Sequence, residues 1–269
     1  MITNGKITFI GAGNMAEAIV AGMLKQNLIA PANLYVTDIS EARLLQLKEK
    51  YGVSTSLENA STASASRVVI LAVKPQVFPE VWEEIADRLQ PDTLVISIMA
   101  GIPTQKISGD QPIRVVRVMP NTPALIGEGA AAIAPGSHAT KEDLQLAQKI
   151  MEAVGVVEEV NETEMDAVTA LSGSGPAYVF YLLESMLEAA EKMGLKKEVA
   201  RTLALATVKG AAQLMDESGE EAAVLRTKVT SKGGTTAAAL QTLDEQKVKE
   251  SIVEALLAAQ ARSKELARG

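Results

Sequence analysis

The sequence contains no cysteine and only one histidine, His138. Disulfides, thiolate metal sites and cysteine nucleophiles are therefore excluded, and a histidine-rich metal centre lacks its ligands. Aromatic residues make up only 3% of the chain against a hydrophobic content of 47%, so any core has to be packed from Ala, Val, Ile, Leu and Met. Positive charge is not in excess. The net charge of -7 at pH 7 argues against a nucleic-acid-binding surface. The opening stretch has one early lysine, Lys6, and an apolar run broken by glycines and Glu17, which suits neither a signal peptide nor a membrane span. The expectation is a cytoplasmic protein with neither a membrane nor a nucleic-acid partner.

What is present falls into two halves. At 269 residues the chain exceeds the usual size of one domain. Up to residue 161, short apolar runs alternate with helix-length amphipathic segments, the pattern of a mostly parallel sheet covered by helices. Strands are expected at 7–11, 34–37, 68–73, 94–98, 115–119, 129–134 and 156–160, with helices at 14–26, 41–50, 77–89 and 141–153. From residue 162 to 269 the strand signal disappears and apolar residues recur at helical spacing. Ala189, Ala190, Ala200, Ala204, Ala206, Ala211 and Ala212 let helices approach closely, which points to partner helices from a second copy, with an ordinary monomeric bundle as the plainer reading. The division expected is an α/β Rossmann-type domain, 1–161, followed by an all-α dimerisation domain, 162–269.

Gly11-Ala12-Gly13-Asn14-Met15-Ala16 directly follows the first expected strand and opens the first expected helix. In that setting Gly11 permits a tight turn, Gly13 lets the backbone approach a pyrophosphate, and Ala16 replaces the third glycine where helix and strand pack. Asp38 ends the second strand, where an acidic side chain accepts from the adenosine ribose hydroxyls; Asp38-Ile39-Ser40-Glu41 also reads as a helix start. Val73-Lys74-Pro75-Gln76 and Met119-Pro120-Asn121-Thr122-Pro123 end two further strands at the carboxyl edge of the sheet, where ligands lie in open α/β folds, although prolines also simply terminate strands.

In the second half, Ser172-Gly173-Ser174-Gly175-Pro176 reads as a helix break followed by a new N-terminus with Pro176 in its first turn. Ser231-Lys232-Gly233-Gly234-Thr235-Thr236 leads two glycines into a helix start, a nest of N–H groups suited to a carboxylate. Its plainer reading is an inter-helix turn with Thr235 as N-cap.

Taken in order, GAGNMAEAI, AVKPQ, RVMPNTP, ALSGSGPAYVF and VTSKGGTTAAAL resemble the pyrroline-5-carboxylate reductases, over residues 7–243. The resemblance implies reduction of 1-pyrroline-5-carboxylate to L-proline with NADPH or NADH, and a homodimer built by interlocked helical domains. In many members these dimers assemble as pentamers. Carried over by position, Gly11, Ala12, Gly13, Asn14 and Met15 would hold the pyrophosphate. Asn59, Ala72, Val73 and Lys74 would line the adenosine and nicotinamide ends, with Ala100 by the nicotinamide. Asp38, Pro75, Pro120 and Asn121 join this cofactor set from the same sheet edge. Ser231, Gly233, Gly234, Thr235 and Thr236 would receive the substrate, with Glu162 near it and the Thr236 hydroxyl on the ring nitrogen as the catalytic contact. The chain departs from the family where Lys232 replaces the usual proline and Gly219-Glu220-Glu221-Ala222 lacks the usual His-Pro pair.

Hydride transfer to an iminium carbon needs positioning more than a strong side-chain acid, so the shortage of histidine is no obstacle. Two rival readings remain on sequence grounds. A β-hydroxyacid dehydrogenase relative or other imine reductase would share the architecture, but the dehydrogenase expects a Gly-x-Gly-x-x-x-Lys-x-x-Asn helix, and no lysine follows Ser172-Gly173-Ser174-Gly175-Pro176 at that spacing. A dinucleotide-sensing dimeric binding protein would need no substrate loop.

Overall fold

The computed structural model describes residues 5–268. Its first part alternates strands and helices: β1 (Ile7–Ile10), α1 (Asn14–Lys25), β2 (Leu34–Thr37), α2 (Glu41–Tyr51), β3 (Ser54–Ser56), α3 (Asn59–Ser64), β4 (Val68–Leu71), α4 (Phe78–Ile85), β5 (Leu94–Ser97), α5 (Thr104–Ser108), β6 (Arg114–Met119), β7 (Gly129–Pro135), α6 (Lys141–Glu152) and β8 (Gly155–Glu159). The eight strands form one sheet in the order β3-β2-β1-β4-β5-β6-β7-β8. Every neighbouring pair is parallel except β6 and β7. This is the mostly parallel, Rossmann-type sheet expected.

Alternation along the central strands builds two separate cores. Ile7, Phe9, Val68, Ile70, Leu94 and Ile96 pack on one face, while Ile10, Val69, Leu71, Val95 and Val115 pack on the other. Because both faces are covered, these strands read as continuous apolar runs. β3, with the sequence Ser-Thr-Ser, has no such signature and was not anticipated; as an edge strand it is held by its ladder to β2, Tyr35 opposite Ser54. The short helices α3 and α5 were likewise not anticipated. The helix expected at 77–89 ends at Ile85 and tightens into a 3-10 turn, Ala86–Arg88.

The remaining elements are helical: α7 (Met165–Val168), α8 (Gly175–Lys192), α9 (Lys197–Ser218), α10 (Ala222–Lys228), α11 (Thr235–Glu245) and α12 (Val248–Arg268). Two compact units result, one ending at Pro176 and resumed from Ala259, the other Ala177–Ala258. The dividing points thus fall inside α8 and α12. Within the helical unit only Ala190, Ala200 and Ala204 are buried among the described apolar residues, while Tyr181 and Met193 are 73% and 72% exposed. Among the described residues no helix is long and apolar enough to cross a membrane.

Candidate active site

The turn from β1 to α1 explains its glycines. Gly11 has φ +100, and a Cβ there would stand 2.6 Å from the carbonyl oxygen of Ala72 at the end of β4, so only glycine fits. At Gly13, by contrast, a Cβ would meet no protein atom within 4 Å. Gly13 is the N-cap of α1 and no side chain caps that helix. The first-turn N–H groups of Asn14 and Met15 have no intrahelical acceptor and open on the exposed Gly13 and Asn14. Space without a side chain, next to uncapped N–H groups at the positive end of a helix, fits a pyrophosphate.

Asp38 stands at this turn and does not cap α2. One carboxylate oxygen accepts from the Ala12 N–H at 2.8 Å and the other from the Ser40 N–H at 2.9 Å. Ser40 is the cap, its hydroxyl accepting from the Arg43 N–H. Arg43 reaches back to the same loop, donating from Nε to the Ala12 carbonyl at 2.8 Å and pairing with Glu17. Glu17 also accepts from Lys50 and Tyr51. Lys50, then Arg43 and Tyr51, hold its carboxyl down to about 2 against the opposing effect of burial. The sequence carries no local signal for this role of Glu17, because its partners lie 26 to 34 residues away.

Asn59 begins α3, taking the Thr37 hydroxyl on its carbonyl oxygen at 2.6 Å and donating to Glu84 at 2.8 Å. It therefore braces the end of β2 against α4. Ala72 and Val73 are partly buried after β4, Lys74 is exposed, and Pro75 opens a 3-10 turn, Pro75–Val77. Ala100 is exposed beyond β5. All of these lie at the carboxyl ends of the strands, the edge that binds ligands in this class of fold.

Pro120 and Asn121 follow β6 and are buried. Asn121 accepts from the Ala130 N–H at 2.8 Å and donates to the Ser172 carbonyl at 3.1 Å. As expected, a new helix, α8, starts at Gly175 with Pro176 in its first turn, but the segment before it that Asn121 grips is itself helical. Thr169–Gly173 is a π-helical turn running from α7 into α8, with the Ser174 N–H reaching the Thr169 carbonyl at 2.8 Å. Pro176 has no N–H for the carbonyl of Ser172 four residues earlier, and the Asn121 amide supplies that donor instead. A Cβ on Gly173 would meet only the flexible Met119 side chain, nearest at its terminal methyl, which would have to turn aside.

Glu162 places both carboxylate oxygens on Thr104, accepting from its N–H and its hydroxyl at 2.6 Å each. One of them also lies 3.6 Å from the Arg117 guanidinium. Burial lowers the Arg117 pKa, while the carboxylates of Glu162 and Asp166 oppose that shift.

In the helical unit, Gly233 has φ +74 and Gly234, not Thr235, caps α11. The Gly234 N–H closes the turn on the Ser231 carbonyl at 3.0 Å. A Cβ on Gly234 would stand 2.5 Å from the Ser231 hydroxyl oxygen and 3.2 Å from its carbonyl oxygen, so a larger residue would require the serine side chain to rotate away. No side chain caps α11, leaving the N–H groups of Thr235 and Thr236 without intrahelical acceptors. Lys232 is exposed at the tip, and His138 is exposed in a turn of the other unit.

Residues 162–266 match the family model for pyrroline-5-carboxylate reductase dimerisation, and residues 6–101 match that for coenzyme F420-dependent NADP oxidoreductases. A pyrroline-5-carboxylate reductase of Methanosarcina acetivorans is 42% identical over 98% of this chain and 99% of its own length. The chain belongs to the pyrroline-5-carboxylate reductase family. Solved members of the family superpose closely on it. The enzyme of Coxiella burnetii, 42% identical, matches with a TM-score of 0.91 over 98% of this chain and 99% of that one. The Plasmodium falciparum enzyme, solved with NADP bound, is 31% identical and matches with a TM-score of 0.90 over 98% of each chain.

Proposed function

We propose that this protein reduces 1-pyrroline-5-carboxylate to L-proline at the expense of NADPH or NADH. The observation that carries the reading is the β1–α1 turn, shaped for a pyrophosphate, in a chain similar along nearly its whole length to reductases of this substrate. The bound nicotinamide cofactor supplies the hydride. The protein binds and orients. Gly11 to Met15 receive the pyrophosphate, Asp38 and Asn59 border the adenosine end, and Ala72 to Pro75, Ala100, Pro120 and Asn121 shape the rest of the sheet edge. Ser231, Gly233 and Thr235 offer backbone N–H groups to the substrate carboxylate, Gly234 shapes the turn that presents them, and the Thr236 hydroxyl accepts from the iminium N–H. A threonine is no general acid, so the nitrogen is protonated from solvent before the hydride arrives. Glu162 takes a supporting part, since its carboxylate is already engaged by Thr104.

The reading includes a homodimer made through the helical unit, whose apolar side chains have no cover within one chain, with a ring of five dimers as the further assembly. It also places the protein in the cytoplasm, where reduced nicotinamide cofactors are supplied. The test is loss of NAD(P)H absorbance on addition of pyrroline-5-carboxylate, combined with sedimentation of the same sample. Steady turnover by a dimer or larger assembly supports the reading; no turnover with either cofactor, or a stable active monomer, counts against the reaction or the assembly respectively.

A further inference from the structure

The last turns of α12 belong to the same compact unit as the sheet. They meet it at two places. Ser263, only 4% exposed, donates its hydroxyl to Asp166 at 2.7 Å. Leu266 lies over the turn after β5: a Cβ on Gly101, whose φ is +72, would stand 3.5 Å from the Leu266 Cβ and 3.8 Å from the Ala267 nitrogen. Gly101 is buried beneath this contact while its neighbour Ala100 is exposed at the carboxyl edge of the sheet.

The two contacts converge. Asp166 and Glu162 are the two carboxylates that act on the buried guanidinium of Arg117, on β6. Glu162 in turn grips Thr104, the first residue of α5, through both its N–H and its hydroxyl. The stretch from Ala100 to Thr104 is thus held at its near end by Leu266 and at its far end by Glu162, whose 3-10 turn, Glu162–Glu164, runs directly into α7, the helix that Ser263 grips through Asp166. None of the buried side-chain nitrogen or oxygen atoms among the described residues lacks a partner, so this linkage strands no buried polar atom. Its consequence is positional.

We propose that the C-terminal turns of α12, acting through Ser263 and Leu266, are positioning elements that set the Ala100–Thr104 stretch against the dinucleotide. The inference rests on the reading of that sheet edge as the cofactor site. A displacement of about 1 Å of such a stretch misaligns the reacting atoms and slows the chemical step without removing the glycine-loop contacts that supply affinity.

The experiment uses the full-length protein and two independent variants, Ser263→Ala, with Ser263→Thr as its conservative control, and Leu266→Ala, whose side chain is half exposed, so that its loss is expected to leave the fold intact. Hydrogen exchange of the amides at 98–104 is compared with that of the β1–α1 turn, alongside kcat and the KM for NADPH. Both alanine variants are expected to speed exchange at 98–104 by about fivefold or more with the β1–α1 turn unchanged. They should lower kcat by about three- to tenfold with the KM for NADPH within about twofold, and Ser263→Thr should restore both readouts. A fall in melting temperature with exchange at 98–104 and kcat unaltered would overturn the proposal, leaving α12 as a stabilising helix only. Absent turnover in the unaltered protein would sink the assigned reaction instead, and the exchange data would still decide whether α12 holds the stretch.

Discussion

The side-chain amide of Asn121 donates to the carbonyl of Ser172 at 3.1 Å, filling the place of the helical N–H that Pro176 cannot provide. Two motifs that are far apart in the chain thereby form one structural unit. Asn121 also accepts from Ala130 at 2.8 Å, so both ends of its amide are committed in a buried position.

Asn121→Ala should therefore strand the Ser172 carbonyl and the Ala130 N–H together. The expected loss is about 2–4 kcal/mol of stability, since each buried polar group left unpaired costs on the order of 1–3 kcal/mol. Urea unfolding measures it. A loss under about 0.5 kcal/mol would mean that water or backbone relaxation replaces the amide fully.

Gly11 and Gly13 should separate folding from binding. Gly11→Ala forces a side chain into φ +100 and against the Ala72 carbonyl, and should destabilise the sheet edge as well as abolish cofactor binding. Gly13→Ala meets no protein atom and has φ -66, which alanine adopts freely, so its melting temperature should barely change. Its Cβ would occupy the space assigned to pyrophosphate and should weaken NADPH binding by about tenfold or more, roughly 1.4 kcal/mol. Calorimetry on the folded variant decides it; unchanged affinity would place the pyrophosphate elsewhere.

These outcomes follow differences in how legible each feature is in the chain. Strands β1, β4 and β5 are visible because both of their faces are buried, so apolar identity persists along each run. β3 is invisible because Ser54, Thr55 and Ser56 are kept in the sheet by pairing with β2 rather than by burial. The glycine loop is visible because its requirements are local: a positive φ, a close approach and a helix start. The polar residues are visible only as types. That Asp38 holds Ala12, that Asn59 bridges Thr37 to Glu84, and that Glu162 holds Thr104 depends on residues brought together by folding from 22 to 58 positions apart. The π-helical turn read as a helix break for the same reason, because its donor comes from Asn121, 51 residues away.

The carboxyl of Glu17 is held at about 2, below the ordinary 4.5, by Lys50, Arg43 and Tyr51. A lowered carboxyl pKa contributes stability that is complete above about 4.5 and is lost as the pH falls through the range down to about 2. Allowing for solvent screening of Lys50, the contribution at neutral pH is about 1–2 kcal/mol. Glu17→Gln should be less stable than the native protein by that amount at pH 7, and the two unfolding curves should converge as the pH approaches about 2. A gap that stays constant from pH 7 to pH 2.5 would show that the glutamate acts by packing rather than by charge.

Thr236 sits in the first turn of α11, an uncapped helix start where alanine is well tolerated. Thr236→Ala should leave the fold and NADPH affinity unchanged while lowering kcat with pyrroline-5-carboxylate by about ten- to hundredfold, the effect of one lost orienting hydrogen bond. Steady-state kinetics with both substrates varied tests this. If neither kcat nor the KM for the imine moved, the hydroxyl would have no contact with the ring nitrogen.

Cofactor choice turns on the two charged side chains beside Ala12. The Asp38 carboxylate is fixed between the N–H groups of Ala12 and Ser40, so it cannot swing outward to make room for a 2'-phosphate, which brings nearly two negative charges. Arg43 is a counter-charge at the same loop, but it is tied to the Ala12 carbonyl and to Glu17. The native protein should accordingly use NADH and NADPH with comparable kcat/KM. Two substitutions should tilt the balance by different routes. Asp38→Ser removes the repulsion but also the brace on Ala12, so affinity for both cofactors should fall while the ratio moves toward NADPH. Glu17→Gln keeps the brace and frees the guanidinium to pair with the phosphate; it should raise kcat/KM for NADPH relative to NADH by about five- to thirtyfold, the worth of one charge-assisted contact of about 1–2 kcal/mol. Measuring both ratios for native protein and both variants separates the routes. Strong native selectivity for NADPH that neither substitution alters would show that the 2'-phosphate lies away from the Asp38–Arg43 corner altogether.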